Sequence, residues 1–249
     1  MVDQIEAGKL DAEINLVVSN NPGAYGLTRA QKHGIPTAVV DYSKYGKKLF
    51  PKVDERELPS QFPELVKRQR IFHGLPPEEI RDRLARLVLA EQEIIELLNP
   101  LAPELICLAG FMRLISPYFI GHYNREDRYG IMNIHPALLP AFPGTDGYGD
   151  TFGYGCRFGG ITVHFVDEGE DTGPIIAQAT YPIWPGDTLD VIRKRGLELE
   201  YALYSQCIQW MAQEDLQVDY GKDGRPQVRI LDPEYPRFLE QLTQKAFAR

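Results

Sequence analysis

The stretch Ile131-Met-Asn-Ile-His-Pro-Ala-Leu-Leu-Pro-Ala-Phe-Pro-Gly144 is a buried-type apolar run that ends in an amide and an imidazole. Asn133 and His135 stand two apart, so an extended backbone projects both toward one face, and Pro136 bars the strand from simply continuing. Downstream, Ile161-Thr-Val-His-Phe-Val166 predicts a second strand, which runs into the acidic turn Asp167-Glu-Gly-Glu-Asp-Thr-Gly-Pro174. Asp171 in that turn is the third residue of interest.

Working outward, Leu105-Ile-Cys-Leu-Ala109 is a continuous apolar run between Pro103 and Gly110, which suits a strand buried on both faces of a parallel sheet. Ile14 to Val18 predicts a strand, Ala24 to His33 a helix stopped by Gly34, and Pro36 to Val40 another strand. Residues 1–9 have helical character ended by Gly8, whereas 41–73 is charged and Pro-containing, with a short helix around Glu64 to Arg70. Pro76 and Pro77 start a long helix whose apolar positions Ile80, Leu84, Leu87, Val88, Ile94, Ile95 and Leu98 keep a three-to-four spacing. Asp187-Thr-Leu-Asp190 opens the last large helix, with Leu189, Ile192, Leu199, Leu203 and Trp210 on its inner face. A turn or hairpin around Asp219 to Arg225 and a short helix from Phe238 to Phe247 close the chain. The expected fold is α/β, an open, mainly parallel twisted sheet with helices on both faces. One domain is expected over 1–249, with a Rossmann-like part at 1–110, a catalytic part at 111–212 and a terminal hairpin and helix at 213–249. Asn133 and His135 then fall at the carboxyl end of a strand, where ligands of such sheets sit.

The chain has 249 residues, of which 43% are hydrophobic, enough for a substantial core. Its formal charge of −8 argues against a nucleic-acid surface, which needs clustered Lys and Arg. No apolar run approaches the ~18 residues of a membrane span. Cys107, Cys156 and Cys207 are far apart, with no zinc-like spacing, and fit reduced thiols of the cytoplasm. The oligomeric state is not set by the sequence.

Asn offers amide donors and a protonated imidazole is a charged donor, so Asn133 and His135 could together hold a developing oxyanion in acyl transfer. A charged imidazole needs a carboxylate neighbour, and Asp171 lies 36 residues on, in a turn able to fold back. In the proposed trio His135 polarises the carbonyl or protonates the oxyanion, and Asp171 supports it and helps move the proton lost by an attacking amine. Plainer readings stand beside this one. The Asn-x-His pair can be structural, the acidic turn can be a solvated loop, and its spacing does not fit a calcium site. His164 suits a satisfied interior histidine as well as a substrate contact. Gly144 to Gly160 carries seven glycines with Tyr148, Phe152, Tyr154 and Phe158 between them, and reads as an irregular loop without a dinucleotide motif. Lys67, Arg68 and Arg70 read as a solvated helix face.

The strings Leu108-Ala-Gly-Phe-Met-Arg-Leu-Ile-Ser-Pro117, Asn133-Ile-His-Pro-Ala-Leu-Leu-Pro140 and Thr162-Val-His-Phe-Val166, followed by Asp171-Thr-Gly-Pro-Ile-Ile176, have an order and spacing that resemble a known family. It is the 10-formyltetrahydrofolate-dependent phosphoribosylglycinamide formyltransferases, and the likeness runs from about Ile14 to Trp210. The resemblance implies transfer of a formyl group from the folate to the glycinamide amine through a tetrahedral intermediate, with Asn133, His135 and Asp171 on catalytic positions. It implies that Met112, Arg113, Leu114 and Ile115 line the pterin pocket with Asn133 and the turn Asp167, Glu168, Gly169, Glu170 and Asp171. Pro136, His164 and Glu200 are the expected acceptor contacts, Glu200 on the ribose, and no metal is implied. Related alternatives are another amine acceptor such as an amino sugar nucleotide, hydrolysis of formyltetrahydrofolate, or folate binding without turnover. The family opens with a strand and a Gly/Ser/Asn phosphate loop, and this sequence starts inside the helix that would follow, so an N-terminal truncation or misassigned start is expected. Gly144 to Phe152 also departs from the family, which carries histidines and a regular helix there.

Overall fold

Helices and strands alternate as the sequence predicts, in a computed structural model that describes residues 1–125 and 128–248. A short helix α1 (Val2–Glu6) ends before Gly8, whose φ of +65° only glycine adopts freely. Strand β1 (Val17–Ser19), helix α2 (Tyr25–Lys32) and strand β2 (Thr37–Val39) follow, and β1 pairs with β2 in parallel, Val17 opposite Thr37. Both strands start later than the apolar runs suggest. Residues 41–73 hold two short 3-10 turns and helix α3 (Phe62–Arg68), which buries Phe62 and Leu65 against α4 (Pro77–Leu98).

Strands β3 (Ile106–Leu108), β4 (Ile131–His135), β5 (Phe158–Phe165) and β6 (Ile175–Pro182) form a four-stranded sheet in that order. β3 and β4 are parallel, and β4, β5 and β6 then continue antiparallel, so the parallel ladders involve only the strands up to β4. Helix α5 (Pro117–Tyr123) connects β3 to β4, and α6 (Gly147–Tyr154) precedes β5. Helix α7 (Leu189–Ala212), the hairpin β7 (Leu216–Tyr220) and β8 (Pro226–Ile230), and helix α8 (Tyr235–Phe247) complete the chain.

β4 shows why the sheet is covered on both faces. Ile131 and Met132 are adjacent, both fully buried, and point into different clusters. Ile131 packs with Ile95, Leu98, Phe119 and Ile120 of α4 and α5, whereas Met132 packs with Leu203, Tyr204 and Cys207 of α7. β3 divides its side chains the same way but is only half-buried, less than its apolar run suggests. The Tyr204 hydroxyl reaches the carbonyls of Leu108 and Met132, each at 2.9 Å, and so ties α7 to β3 and β4. Farther along α7, buried Trp210 donates to Asp232 at 2.7 Å between the rings of Tyr235 and Phe238, which docks α8.

The Gly-rich segment is not the irregular loop expected. Residues Gly147–Tyr154 are helical because a cap stands at each end: Asp146 accepts from the Gly149 amide at 3.1 Å, and Gly155 turns the chain at φ +84°. Caps and the burial of Tyr148 and Thr151 outweigh the poor helix propensity of the glycines. No helix among the described residues is long and apolar enough to cross a membrane.

Candidate active site

Pro136 ends β4 just after His135, and the loop beyond it is fixed from beneath. Thr162, opposite His135 in the β4–β5 register, donates to the Ala137 carbonyl at 2.7 Å and accepts from the Leu139 amide at 3.0 Å. Gln178 on β6 adds bonds of 2.9 Å to the Leu139 carbonyl and to the Thr162 hydroxyl. This pair, buried Thr162 and half-buried Gln178, which the sequence reading passed over, holds the loop in place behind the imidazole. Its one signal was Thr162 sharing a strand face with His164.

Asn133 faces His164 directly across the β4–β5 ladder. His164 Nδ1 lies 2.8 Å from the Phe165 carbonyl, which can only accept, so Nδ1 carries a proton. The Asn133 amide nitrogen lies 3.3 Å from His164 Nε2. His164 is therefore a buried, satisfied histidine, and it stands beside Asn133 and Asp171.

The turn after β5 folds back as expected. Asp171 Oδ2 is 3.4 Å from His135 Nδ1, and Oδ1 is 3.6 Å from His164 Nε2, with all three side chains almost buried. Burial by itself raises the Asp171 carboxyl. The His164 contact, the Gly144 amide that donates at 2.8 Å and the charges of both imidazoles outweigh it, so the group is held below the ordinary carboxylate range. His135 Nε2 donates to the Phe142 carbonyl at 2.7 Å. One carboxylate thus sits between two imidazoles, with an amide alongside.

The rest of the turn is braced rather than solvated. Asp167 accepts from the Gly169 amide at 3.1 Å and from the Thr172 hydroxyl at 2.6 Å. Glu168 pairs with Arg68 at 2.9 Å; burial raises its carboxyl, while Arg68 and Arg70 oppose that. Lys67, Arg68 and Arg70 are exposed, as a solvated face requires, and from that face Arg68 also reaches the turn. Glu170 is exposed beside Gly144. Gly173 can bear no side chain, since a Cβ there would lie 1.9 Å from the Phe165 carbonyl oxygen.

Met112 and Arg113 line an open cleft of about 540 Å³ with Ser19, Asn20, Asn21, Ala24 and Gly110, at the carboxyl ends of β1 and β3. Arg113 also stacks its guanidinium 4.4 Å from the Tyr42 ring centre. Leu114 is half-buried, and Ile115 turns into the core with Phe119, so that residue offers a ligand its backbone and not its side chain. Half-buried Glu200 on α7 accepts from the Tyr148 hydroxyl, a partner that no motif announced. Pro136 is half-buried, its carbonyl against Gly147. The described residues contain no group of three His, Cys, Asp or Glu able to hold a metal ion.

An amide donor, two imidazoles and a shielded carboxylate at the end of an α/β strand are the equipment of a group-transfer enzyme acting at a carbonyl carbon. The chain belongs to the formyl transferase family, whose pattern matches residues 1–208. It is 44% identical over 148 residues to the phosphoribosylglycinamide formyltransferase of Bacillus subtilis (strain 168), which covers 58% of this chain and 72% of that protein. It is 34% identical over 214 residues to the trifunctional purine biosynthetic protein adenosine-3 of Gallus gallus, 86% of this chain but 17% of that much longer protein. The crystal structure of glycinamide ribonucleotide transformylase 1 from Symbiobacterium toebii superposes with a TM-score of 0.68 at 30% identity, covering 93% of this chain and 87% of that one.

Proposed function

We propose that this chain, as one formyltransferase domain, moves the formyl group of 10-formyltetrahydrofolate to the amine of glycinamide ribonucleotide, a step of purine biosynthesis. The observation that carries the reading is the convergence of Asn133, His135 and His164 around Asp171. The family match and the relatives named for this activity set the reaction. The folate supplies the formyl carbon and receives the proton that completes its departure.

Each residue has a distinct task in this reading. The Asn133 amide, beside His164, is the donor for negative charge developing on the formyl oxygen. His135 is gripped at Nε2 by the Phe142 carbonyl and at Nδ1 by Asp171, so its ring cannot turn. Asp171, kept anionic by its donors, receives the proton that the attacking amine loses, and the two imidazoles share the resulting charge. Gly110, Met112 and Arg113 offer the folate an open cleft, and the turn 167–171 is its further contact in this reading. Glu200 is the acceptor for ribose hydroxyls. The three free thiols suit a reducing compartment such as the cytoplasm.

The test is direct: incubate the purified chain with 10-formyltetrahydrofolate and glycinamide ribonucleotide, and measure tetrahydrofolate and formylated product together. Equal yields of both are expected. Tetrahydrofolate released at the same rate without the acceptor would replace the reading with hydrolysis.

A further inference from the structure

Helix α6 docks on α7 through one face of the longer helix. Arg193, Gly196 and Glu200 recur at spacings of three and four, and each meets α6. Asp146 pairs with Arg193 at 3.5 Å, the Tyr148 hydroxyl donates to Glu200 Oε1, and the Tyr148 ring fills the space above Gly196. That space is exclusive, since a Cβ on Gly196 would lie 2.3 Å from the tyrosine oxygen. The same N-terminal end of α6 rests on the loop after His135, where a Cβ on Gly147 would lie 2.8 Å from the Pro136 carbonyl oxygen. The Tyr148 ring is thus held over Gly196 from a docked helix end, and its hydroxyl is spent on one oxygen of one carboxylate.

We propose that Tyr148 is a positioning residue for the acceptor: it holds Oε1 of Glu200, so that Oε2 is presented in a fixed direction to the hydroxyl groups of the sugar. The inference rests on the reading that Glu200 meets that sugar. It adds a specificity element from the Gly-rich segment. Two further observations support it. Burial raises the Glu200 carboxyl and the Tyr148 hydrogen bond opposes this, so the phenol helps keep the carboxylate charged as a hydrogen-bond acceptor. Tyr181 stands as a natural control, its ring centre 6.4 Å from that of Tyr148 and its buried hydroxyl without a hydrogen-bond partner among the described residues. The same chemical group is therefore present twice beside Glu200, once bonded to it and once idle.

The experiment compares Tyr148→Phe, Tyr181→Phe, Glu200→Gln and the Tyr148→Phe/Glu200→Gln pair in the formyl-transfer assay, with thermal midpoints measured alongside. Tyr148→Phe keeps the ring above Gly196 and is expected to fold. Loss of a hydrogen bond to a charged group should raise the KM for glycinamide ribonucleotide about tenfold, with kcat and the folate KM within about twofold of the parent. Tyr181→Phe should leave all three constants alone, and the pair should bind the acceptor no worse than Glu200→Gln, because both act through one carboxylate. An unchanged acceptor KM in Tyr148→Phe, beside a raised one in Glu200→Gln, refutes the proposal and leaves the assignment of Glu200 intact. So does a Tyr148→Phe defect spread over kcat, both KM values and the thermal midpoint. An unchanged acceptor KM in Glu200→Gln removes the assignment of Glu200 itself.

Discussion

Glu91 is a carboxyl buried in α4 with no cation against it, and its titration should set how the stability of this chain depends on pH. The side chain is 2% exposed. Its two oxygens accept from Ser116, Oε1 from the backbone amide at 2.7 Å and Oε2 from the hydroxyl. Burial dominates and the Ser116 bonds oppose it, so the carboxyl is pushed up to about 8 from an ordinary 4.5. Between those values the folded chain holds a proton that the unfolded chain has released, so stability falls as pH rises. The contribution is complete below the unfolded value and lost above the folded one. At about 1.4 kcal/mol for each pH unit, the whole interval is worth at most about 5 kcal/mol.

The consequence reaches the folate side of the cleft. Ser116 caps α5, its hydroxyl accepting from the amides of Tyr118 at 3.1 Å and Phe119 at 3.4 Å, and it immediately follows Met112 to Ile115. Glu91→Gln stays neutral at every pH and can still accept from the Ser116 amide. It should lose about 1–2 kcal/mol in acid, where the parent makes the better bond, and overtake the parent in alkali. Urea unfolding of both proteins at about pH 5.5, 7 and 8.5 separates this effect from every other titration, since only Glu91 differs. Curves of stability against pH that run parallel would refute the reasoning.

The remaining predictions concern the site. Asp171→Asn should lower kcat by about a hundredfold or more while the chain stays folded, because the proton acceptor is lost and its shape is kept; single-turnover rates at unchanged urea stability are the measurement. Asn133→Ala should reduce kcat by about 10² to 10³ with little effect on acceptor KM, as for one oxyanion donor, and an effect confined to KM would remove Asn133 from that role. Thr162→Val keeps the shape of a residue that touches neither substrate, yet leaves the Leu139 amide and the Ala137 carbonyl unpaired in the core. It should cost about 1–3 kcal/mol in urea and slow turnover through His135, and a fully stable variant would contradict the bracing described for that loop.

How far the sequence could be read depends on the kind of signal each element carries. The β4 strand and its end were legible because period-two placement of Asn133 and His135, followed by Pro136, is a local pattern with few alternatives. Asp171 was legible as an acid in a turn between two strands, and antiparallel pairing of β4 with β5 brings that turn back over His135. α6 was misread because counting glycines hides two caps, Asp146 and Gly155, which decide a helix of only eight residues. The partners of Arg68 and Glu200 were illegible for another reason. Arg68 meets Glu168 and Tyr148 meets Glu200 across separations of 100 and 52 residues, and nothing local in either stretch names the other. Long-range polar pairs follow from packing, which a single sequence does not display.

Strain in the backbone is concentrated on His135. Of the four described residues other than glycine with positive φ, two are Phe142 at +54° and Asp171 at +53°. Phe142 supplies the carbonyl on Nε2 and Asp171 the carboxylate on Nδ1, so both groups that grip the ring come from left-handed residues. Such a conformation costs of order 1–3 kcal/mol for a bulky residue and less for aspartate, which tolerates it. The expense is sustained by the surrounding structure. Phe142 stacks edge-on against Tyr154 of α6 at 5.6 Å between ring centres, and Asp171 is tied to the Gly144 amide two residues after Phe142. The same helix that places Tyr148 against Glu200 therefore also holds the carbonyl that fixes His135. Orientation of the imidazole and seating of the acceptor carboxylate depend on one short helix, so disturbing its caps should loosen both ends of the site at once.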